Sequence, residues 1–370
     1  MLKFNFIYVV WGDAYIDVMV RVALPTMLFK NNLPALAARH SCKVVFFIRA
    51  NEEAKIRAAP SVMDLAAVVE LEFHHIDPDT APNMYMAMSE AHHRAALAAI
   101  SEGALLVIGC PDAVYSDGTF TALGNYAEQG KVAVMCPGPR LVQETALPVL
   151  AEIASRKSIS GRELVALTLD HIHPESARHF VDSPDFCTFP TFCMWPLGSK
   201  GMLIRSFHLH PMMIDLSHLN SLDALKEQTI DGALLGRALN DWTNVHIETD
   251  TDNIAFCTLA PRSVSNFESR HEPFDIELVR TSAHSRVVNE LHRHFFTKSL
   301  KLHTGDLDHS WEELEQSTAW ILDAIKIPPK PEEKPSDLTP PEVPVARDRR
   351  LWSWLTNSLK RIRATISGRR

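Results

Sequence analysis

The segment LLVIGCPDAVYSDG contains two carboxylates that follow an apolar run. The run is short and continuous, as in a strand buried on both faces, and Asp112 comes at its end. Asp117 follows five residues later, directly before Gly118. Two carboxylates at the end of a strand can hold a hard divalent cation, which would neutralise a diphosphate. The alternative for both residues is a turn or a helix cap.

The segment FHLHP places His208 and His210 two residues apart. If residues 202–210 form one strand, both imidazoles lie on one face and Arg205 lies on the other. One imidazole could complete a metal site or contact a phosphate. We therefore take His208 as a candidate catalytic residue and His210 as a candidate metal ligand. The alternative is that both rings form hydrogen bonds with their neighbours.

Three later carboxylates are weaker candidates. Asp231, in QTIDGALL, is a candidate base on the acceptor side of an active site. Asp250 and Asp252, in HIETDTDN, form an Asp-x-Asp pair that could supplement a metal site. A cap or turn explains each of them at least as well.

The first half of the chain alternates strand and helix signals. Strands are predicted over residues 4–11, 43–50, 69–77, 104–112 and 131–138. Helices are predicted over residues 84–103 and 119–129, and after the first strand, where we expect Pro25 in a turn or kink. Continuous apolar strands separated by helices predict a Rossmann-like α/β fold, with a mainly parallel sheet and helices on both faces.

The second half has a mixed pattern. Helices are predicted over 141–153 and 161–169, then a loop-rich aromatic stretch over 184–201, a strand over 201–214 and a strand end over 244–252. We expect one catalytic domain with a nucleotide-binding half, 1–140, and an acceptor-side half, 141–326. Ligands of parallel sheets bind beyond the carboxyl ends of the strands.

The predicted strand ends supply the candidate ligand-binding residues. These are Trp11, Asp13, Arg49, Asp112 and Asp117. No GxGxxG motif follows the first strand and no GxxxxGK[ST] motif occurs in the sequence. This argues against a dinucleotide oxidoreductase and a P-loop nucleotidase.

The layout of residues 4–260 resembles that of GT-A-type nucleotide-sugar glycosyltransferases. The resemblance implies a nucleotide-sugar donor, a glycan or lipid-linked acceptor, and an Asp-x-Asp motif that binds Mn²⁺ or Mg²⁺. It assigns Trp11, Asp13, Arg49, Asp112 and Asp117 to the donor site, and Asp112, Asp117 and His210 to the metal. The sequence departs from the family because these two acids are five residues apart, so an atypical metal site and metal-independent catalysis both stay open. A metal-dependent hydrolase and a non-catalytic scaffold recruited to a membrane are the alternative functions.

Charge separates the C-terminal end from the rest of the chain. Residues 347–370 carry eight Lys or Arg and one Asp, a net charge of +7. The rest of the chain has a net charge of −15, and the two sum to the total of −8. An acidic body argues against nucleic acid as a partner. The six cysteines occur singly, which is typical of a reducing compartment, and we expect a cytoplasmic protein.

The basic segment follows a linker, residues 327–346, that contains seven prolines. Residues 351–366 predict an amphipathic helix with an apolar stripe and basic flanks, which suits an anionic membrane surface. The expected membrane contacts are Trp352, Trp354, Lys360, Arg361 and Arg363. The protein would then be peripherally associated with the inner face of the membrane. Docking of this helix on its own domain or on a partner is the alternative.

Overall fold

The computed structural model describes residues 1–226, 230, 234–264 and 272–328. They belong to the first of two compact units, Met1–Lys330, and the second unit is Pro331–Arg370. The strands are β1 Lys3–Val9, β2 Ser41–Ile48, β3 Glu70–His75, β4 Leu105–Gly109, β5 Ala113–Tyr115, β6 Ala133–Cys136, β7 Arg140–Val142, β8 Phe192–Pro196, β9 Gly201–Ser206, β10 His210–Ile214, β11 Val245–Ile247, β12 Phe256–Ala260 and β13 Leu300–His303.

The α-helices alternate with the strands in the first half and are short in much of the second. They are α1 Asp13–Val18, α2 Leu24–Met27, α3 Leu33–Ala37, α4 Glu53–Arg57, α5 Pro60–Ala66, α6 Met84–Glu102, α7 Thr119–Glu128, α8 Gln143–Arg156, α9 Gly161–His171, α10 Pro174–Ala177, α11 Leu234–Ala238, α12 Ile276–Ala283, α13 Glu290–Phe296, α14 His309–Thr318 and α15 Trp320–Ala324.

The central sheet has seven strands in the order β11-β6-β10-β4-β1-β2-β3. β10 is antiparallel to both of its neighbours, whereas the other pairings are parallel. The predicted Rossmann-like, mainly parallel α/β fold is therefore confirmed, and it is consistent with a GT-A-like arrangement. The carboxyl ends of β11, β6, β4, β1, β2 and β3 all lie at one edge of this sheet.

The two faces of the sheet are covered by different helices because side chains of a strand alternate between faces. Phe6 and Tyr8 of β1 are buried in a cluster with residues of α2, α3 and α5. Ile7 and Val9 are buried on the opposite face with alanines of α6. Apolar side chains on both faces explain why the run reads as continuously hydrophobic.

Two small sheets complete the domain. One has the order β5-β12-β7 and begins directly after β4 and its turn. The other has the order β13-β9-β8 and packs with a separate apolar cluster that includes Trp311 and Phe296. β5 and β7 have three residues each, too few for a periodic signal, and the sequence prediction missed them.

Two local predictions were wrong. Residues 201–214 form two strands in different sheets, and 192–196 of the expected loop-rich stretch form β8. Pro25, expected in a turn or kink, lies within α2, and the chain is helical from Asp13 to Met27 through a π-helical turn, Met19–Ala23. The wider turn precedes the proline, which removes one backbone N–H donor.

Several predictions lie outside the described residues. These are the catalytic assignment of Asp231, most of the linker and the whole basic segment, with Trp352, Trp354, Lys360, Arg361 and Arg363. Among the described residues, no helix has the length and apolar character needed to cross a bilayer.

Candidate functional site

Three predicted site residues follow adjacent strands at the carboxyl edge of the central sheet. β1 lies between β4 and β2, with Tyr8 opposite Gly109 and Val9 opposite Phe47. Trp11, Arg49 and Asp112 come one to three residues after the ends of these strands. Since adjacent strands are about 4.8 Å apart, the sheet places the carboxyl ends of these three strands side by side.

The small β5-β12-β7 sheet positions Asp112 against a residue that the sequence analysis did not select, Arg140. Thr258 of β12 pairs with Ala113 on one side and with Arg140 on the other. Asp112 directly precedes Ala113, and its carbonyl accepts a hydrogen bond of 2.9 Å from the Leu259 N–H. Arg140 and Asp112 therefore flank one strand at the same level.

The two side chains interact electrostatically. Burial raises the pKa of Asp112 from its ordinary value of 3.8 to about 6, and the charge of Arg140 opposes that rise. The Arg140 guanidinium forms no ion pair or hydrogen bond with another side chain of the described ranges. It is thus a cation available to an external anion.

Two tyrosines complete this group. Partial burial raises the pKa of Tyr15, and the charges of Asp112 and Tyr85 reinforce the rise while that of Arg140 opposes it. The four groups therefore influence one another electrostatically. Tyr15 is 51% exposed and Tyr85 is 44% exposed, so both phenols present surface to solvent. We call Asp112, Arg140, Tyr15 and Tyr85 the Asp112 centre.

The predicted metal set Asp112, Asp117 and His210 is not brought together. Both oxygens of Asp117 are bonded to Asn31, its Oδ1 to the backbone N–H at 3.0 Å and its Oδ2 to the amide Nδ2 at 2.8 Å. Asp117 therefore joins two loops, as the turn alternative expected. β5 separates it from Asp112.

His210 is committed to other contacts. Its Nε2–H donates to the carbonyl of Ile108 at 3.1 Å, its Nδ1 lies 4.0 Å from the Cys110 sulfur, and its ring stacks on Phe256. Cys110 stands two residues before Asp112, where an Asp-x-Asp motif would have its first acid. One carboxylate beside a guanidinium is a poor donor set for Mn²⁺ or Mg²⁺, so the described residues of the Asp112 centre do not fit a metal.

Trp11, Asp13 and Arg49 follow the carboxyl ends of β1 and β2 and are not part of the Asp112 centre. Trp11 is half-buried against the core, and the exposed Asp13 pairs with Lys55 at 2.5 Å. Arg49 pairs with Asp79 at 2.8 Å. Beyond the end of β3 lies a cleft of about 540 Å³, whose lining includes Asp77 and Thr80 on either side of Asp79 in the sequence, together with Glu90, His93, Arg94 and Lys226.

His208 is in the turn between β9 and β10, so it does not share a strand face with His210. Its backbone N–H and carbonyl both bond to the Ser206 hydroxyl, and its ring lies 4.6 Å from the ring of His292. Arg205 is buried and donates to the Thr297 carbonyl. His208 therefore lies in a turn, and not on the strand that was predicted over residues 202–210.

The Asp-x-Asp pair of the sequence lies at the end of β11, on the same edge of the sheet. One oxygen of Asp250, one of Asp252 and a ring nitrogen of His303 lie within 4.8 Å of one another, a possible metal site. In the described ranges this is the only such group of three His, Cys, Asp or Glu residues. The His303 side chain is 1% exposed, whereas the two carboxylates are 38% and 42% exposed.

The sequence carried a usable signal for Arg140 but not for its partners. Arg140 follows the apolar strand KVAVMCPGP, so extending the strand-end rule to β6 would have selected it. No local pattern marks Tyr15 or Tyr85, which are ordinary helix residues until the fold brings them to Asp112.

No family model matches the chain, and no curated protein matches it. It is similar to solved structures that include apo mouse xyloside xylosyltransferase 1, with 13% identity over 41% of this chain and 59% of that chain and a TM-score of 0.27. Another is a putative glucose-1-phosphate thymidylyltransferase from Bacillus anthracis in complex with a sucrose, with 9% identity over 38% and 55% and a TM-score of 0.25. The chain spans less than two thirds of either protein. Because both TM-scores are below 0.5, neither likeness bears on function.

Proposed function

We propose that the chain is a glycosyltransferase that uses a nucleotide-sugar donor. The observation that supports this most is the placement of Asp112 beside Arg140 at the carboxyl edge of a mainly parallel sheet. Within the described residues, Arg140 forms no ion pair. Ligands of such sheets bind at this edge. A nucleotide sugar offers a diphosphate to the guanidinium and hydroxyl groups to the carboxylate.

Arg140 is the proposed diphosphate-binding residue. A guanidinium presents several N–H donors in one plane and matches phosphate oxygens in pairs, so this role depends on its shape as well as its charge. Trp11, Asp13 and Arg49 are proposed to extend the donor site from the β1 and β2 exits towards the cleft beyond β3.

Asp112 is proposed to bind hydroxyl groups of the transferred sugar. With a pKa of about 6 it is mainly ionised at pH 7.5 and accepts hydrogen bonds. Because this pKa is close to the working pH, the carboxylate can also take up and release a proton. The exposed faces of Tyr15 and Tyr85 suit a sugar or base ring, since phenols combine an apolar face with a polar end. Asp231 stays a candidate for the acceptor-side base, and His208 a weaker one.

The acceptor is proposed to be a glycan or a lipid-linked molecule at the cytoplasmic face of a membrane. Support comes from the +7 charge and apolar stripe of residues 347–370, because anionic lipid attracts each basic residue by about 1 kcal/mol. Sedimentation with anionic vesicles tests this part. The full chain should pellet and a chain ending at Ile327 should not, and equal partition of the two would contradict membrane anchoring.

Thermal unfolding with uridine, guanosine and thymidine diphosphate sugars tests the donor site. A ligand at about 100 times its Kd stabilises the folded state by about 2.7 kcal/mol, so the matching compound should raise the Tm clearly. Replacement of Arg140→Ala should weaken binding by about 1.5–3 kcal/mol, the usual range for a charged hydrogen-bond donor. Arg156→Ala is the matched control, because Arg156 is an exposed arginine paired with Glu152 on α8.

The same assay separates the alternatives. A non-catalytic scaffold would show no Tm shift with any nucleotide sugar. A metal-dependent hydrolase would release free sugar without any acceptor and lose that activity with chelator. No shift with the whole panel, or a shift unchanged in Arg140→Ala, would overturn the proposed donor site.

A further inference from the structure

We propose that Asp250, Asp252 and His303 bind one divalent transition-metal ion at a site separate from the Asp112 centre. One atom from each residue lies within 4.8 Å of the others, which allows a single ion to contact all three. Two carboxylate oxygens and one imidazole nitrogen favour Mn²⁺ or Zn²⁺ over Mg²⁺ and Ca²⁺, which prefer oxygen ligands only. The proposal does not depend on the proposed glycosyltransferase function.

The tautomer of His303 points to a cation. Its Nδ1 lies 2.6 Å from the carbonyl oxygen of Gly305, and a carbonyl can only accept, so Nδ1 carries the hydrogen. In the neutral ring, Nε2 is then an acceptor, and it faces Asp250 Oδ1 at 2.8 Å. The ring nitrogen and the carboxylate oxygen thus lie side by side, as two ligands of one ion would. A ring that donates Nδ1–H to a backbone carbonyl is the usual arrangement of a metal-binding histidine.

The carboxylates are oriented by contacts outside the group. Arg162 donates to both oxygens of Asp252, at 2.9 and 2.8 Å, and also pairs with Asp306. Each carboxylate oxygen has two lone pairs, so these bonds leave acceptor capacity for a metal. The buried Glu248 accepts the backbone N–H of Asp250 at 3.1 Å and fixes the start of the turn.

Helix α9 and strand β13 hold the turn between the two acids. A Cβ at Gly161 would lie 2.0 Å from the Thr251 carbonyl oxygen, so only glycine allows α9 this close to the turn. The Thr251 hydroxyl accepts the backbone N–H of His303 at 3.2 Å. The three ligands are therefore positioned before any ion binds, and the exposed carboxylates leave coordination positions open to solvent.

Binding of Mn²⁺ to the full-length chain, followed by electron paramagnetic resonance of the free ion, tests the site directly. We expect one Mn²⁺ per chain, a rise in Tm with Mn²⁺ or Zn²⁺, and a smaller rise with Mg²⁺. Asp250→Asn and His303→Gln should each weaken Mn²⁺ binding by more than about 10-fold, since even residues outside the ligand set cost 10–100-fold.

Two control variants separate coordination from general charge. Asp306→Asn removes a negative charge that also pairs with Arg162 but is not in the ligand group, and it should cost far less affinity than Asp250→Asn. Asp112→Asn should leave Mn²⁺ binding unchanged, so this site and the donor site can fail independently. Unfolding without metal checks that each variant is folded.

The proposal is overturned by any of three results. The first is that neither Mn²⁺ nor Zn²⁺ binds or raises the Tm. The second is equal loss of affinity in Asp306→Asn and Asp250→Asn. The third is loss of Mn²⁺ binding in Asp112→Asn with binding retained in Asp250→Asn.

Discussion

The Asp112 centre and the Asp250–Asp252–His303 group both lie at the carboxyl edge of the central sheet, yet their chemistry is opposite. The first has one half-buried carboxyl, two phenols and a guanidinium that forms no ion pair within the described residues, which suits an anionic, hydroxyl-bearing ligand. The second has two carboxylates and an imidazole acceptor, which suits a cation. The edge of the sheet therefore gathers polar groups, and the partner elements decide which charge they bind.

The largest effect is expected for Asp112→Asn. Without the carboxylate, turnover of the nucleotide sugar that binds should fall by about 100-fold or more, the range typical of a carboxylate that acts in proton transfer. The same variant should keep its Mn²⁺ binding, because the second group does not include Asp112. Steady-state kinetics and metal titration on one preparation measure both. Undiminished turnover would remove Asp112 from the active site.

The same substitution should also change how stability depends on pH. Burial raises the pKa of Asp112 to about 6, so the folded state holds this proton more tightly than the unfolded state. That contribution to stability is complete below about pH 4 and is lost as the pH rises through 6. At pH 7.5, Asp112→Asn should therefore be more stable than the natural protein, by at most about 3 kcal/mol at about 1.36 kcal/mol per pKa unit.

Urea unfolding at pH 4.5 and 7.5 tests this sign. The advantage of Asp112→Asn should shrink at the lower pH, where the natural carboxyl is protonated. If Asp112→Asn were more stable than the natural protein by the same amount at both pH values, burial of the ionised carboxylate would not be what destabilises the natural protein. A residue that costs stability and is needed for turnover would be typical of a functional site.

Gly161→Ala tests the second group by displacing its turn. The added Cβ meets the Thr251 carbonyl, so we expect a loss of about 1–3 kcal/mol in the free energy of unfolding, as for other overpacked sites. Mn²⁺ binding should weaken and nucleotide-sugar binding should not. Gly305→Ala is the matched control, because a Cβ there meets nothing within 4 Å. Equal behaviour of the two variants would contradict a tightly held turn.

The central sheet could be predicted because its signals are local. β1, β2, β4 and β6 are mainly apolar runs, whereas β3 alternates charged and apolar residues. The helix α6 covers Met84–Glu102 of the predicted range 84–103 and has Gly103 as its C-cap, in the left-handed conformation that glycine favours. The candidate site depends on distant pairings instead. Asp112 meets Arg140 through β12, more than a hundred residues further along the chain, and no local pattern reports that register.

The same reason explains the two errors about histidines. β10 inserts antiparallel between β4 and β6, which turns His210 towards Ile108 and Cys110 rather than towards a carboxylate. His303, which the sequence analysis did not select, reaches Asp250 because Asp250 bridges to Lys301 of β13. Spacing of two residues was informative for the two acids, and the third ligand depended on tertiary structure.

The smallest effect is expected for Asp117, the other acid of the strand-end segment. Asp117→Asn keeps an acceptor for the Asn31 backbone N–H, but it places an amide NH₂ donor opposite the Asn31 Nδ2 donor. About 1 kcal/mol of stability should therefore be lost. A double-mutant cycle with Asn31→Ala should show that most of this loss is shared between the two residues, because they are direct partners. Nucleotide-sugar binding and turnover should both be unaffected. Loss of donor binding in Asp117→Asn, in a protein that is still folded, would return Asp117 to the Asp112 centre and would make that centre a two-carboxylate site able to hold a cation of its own.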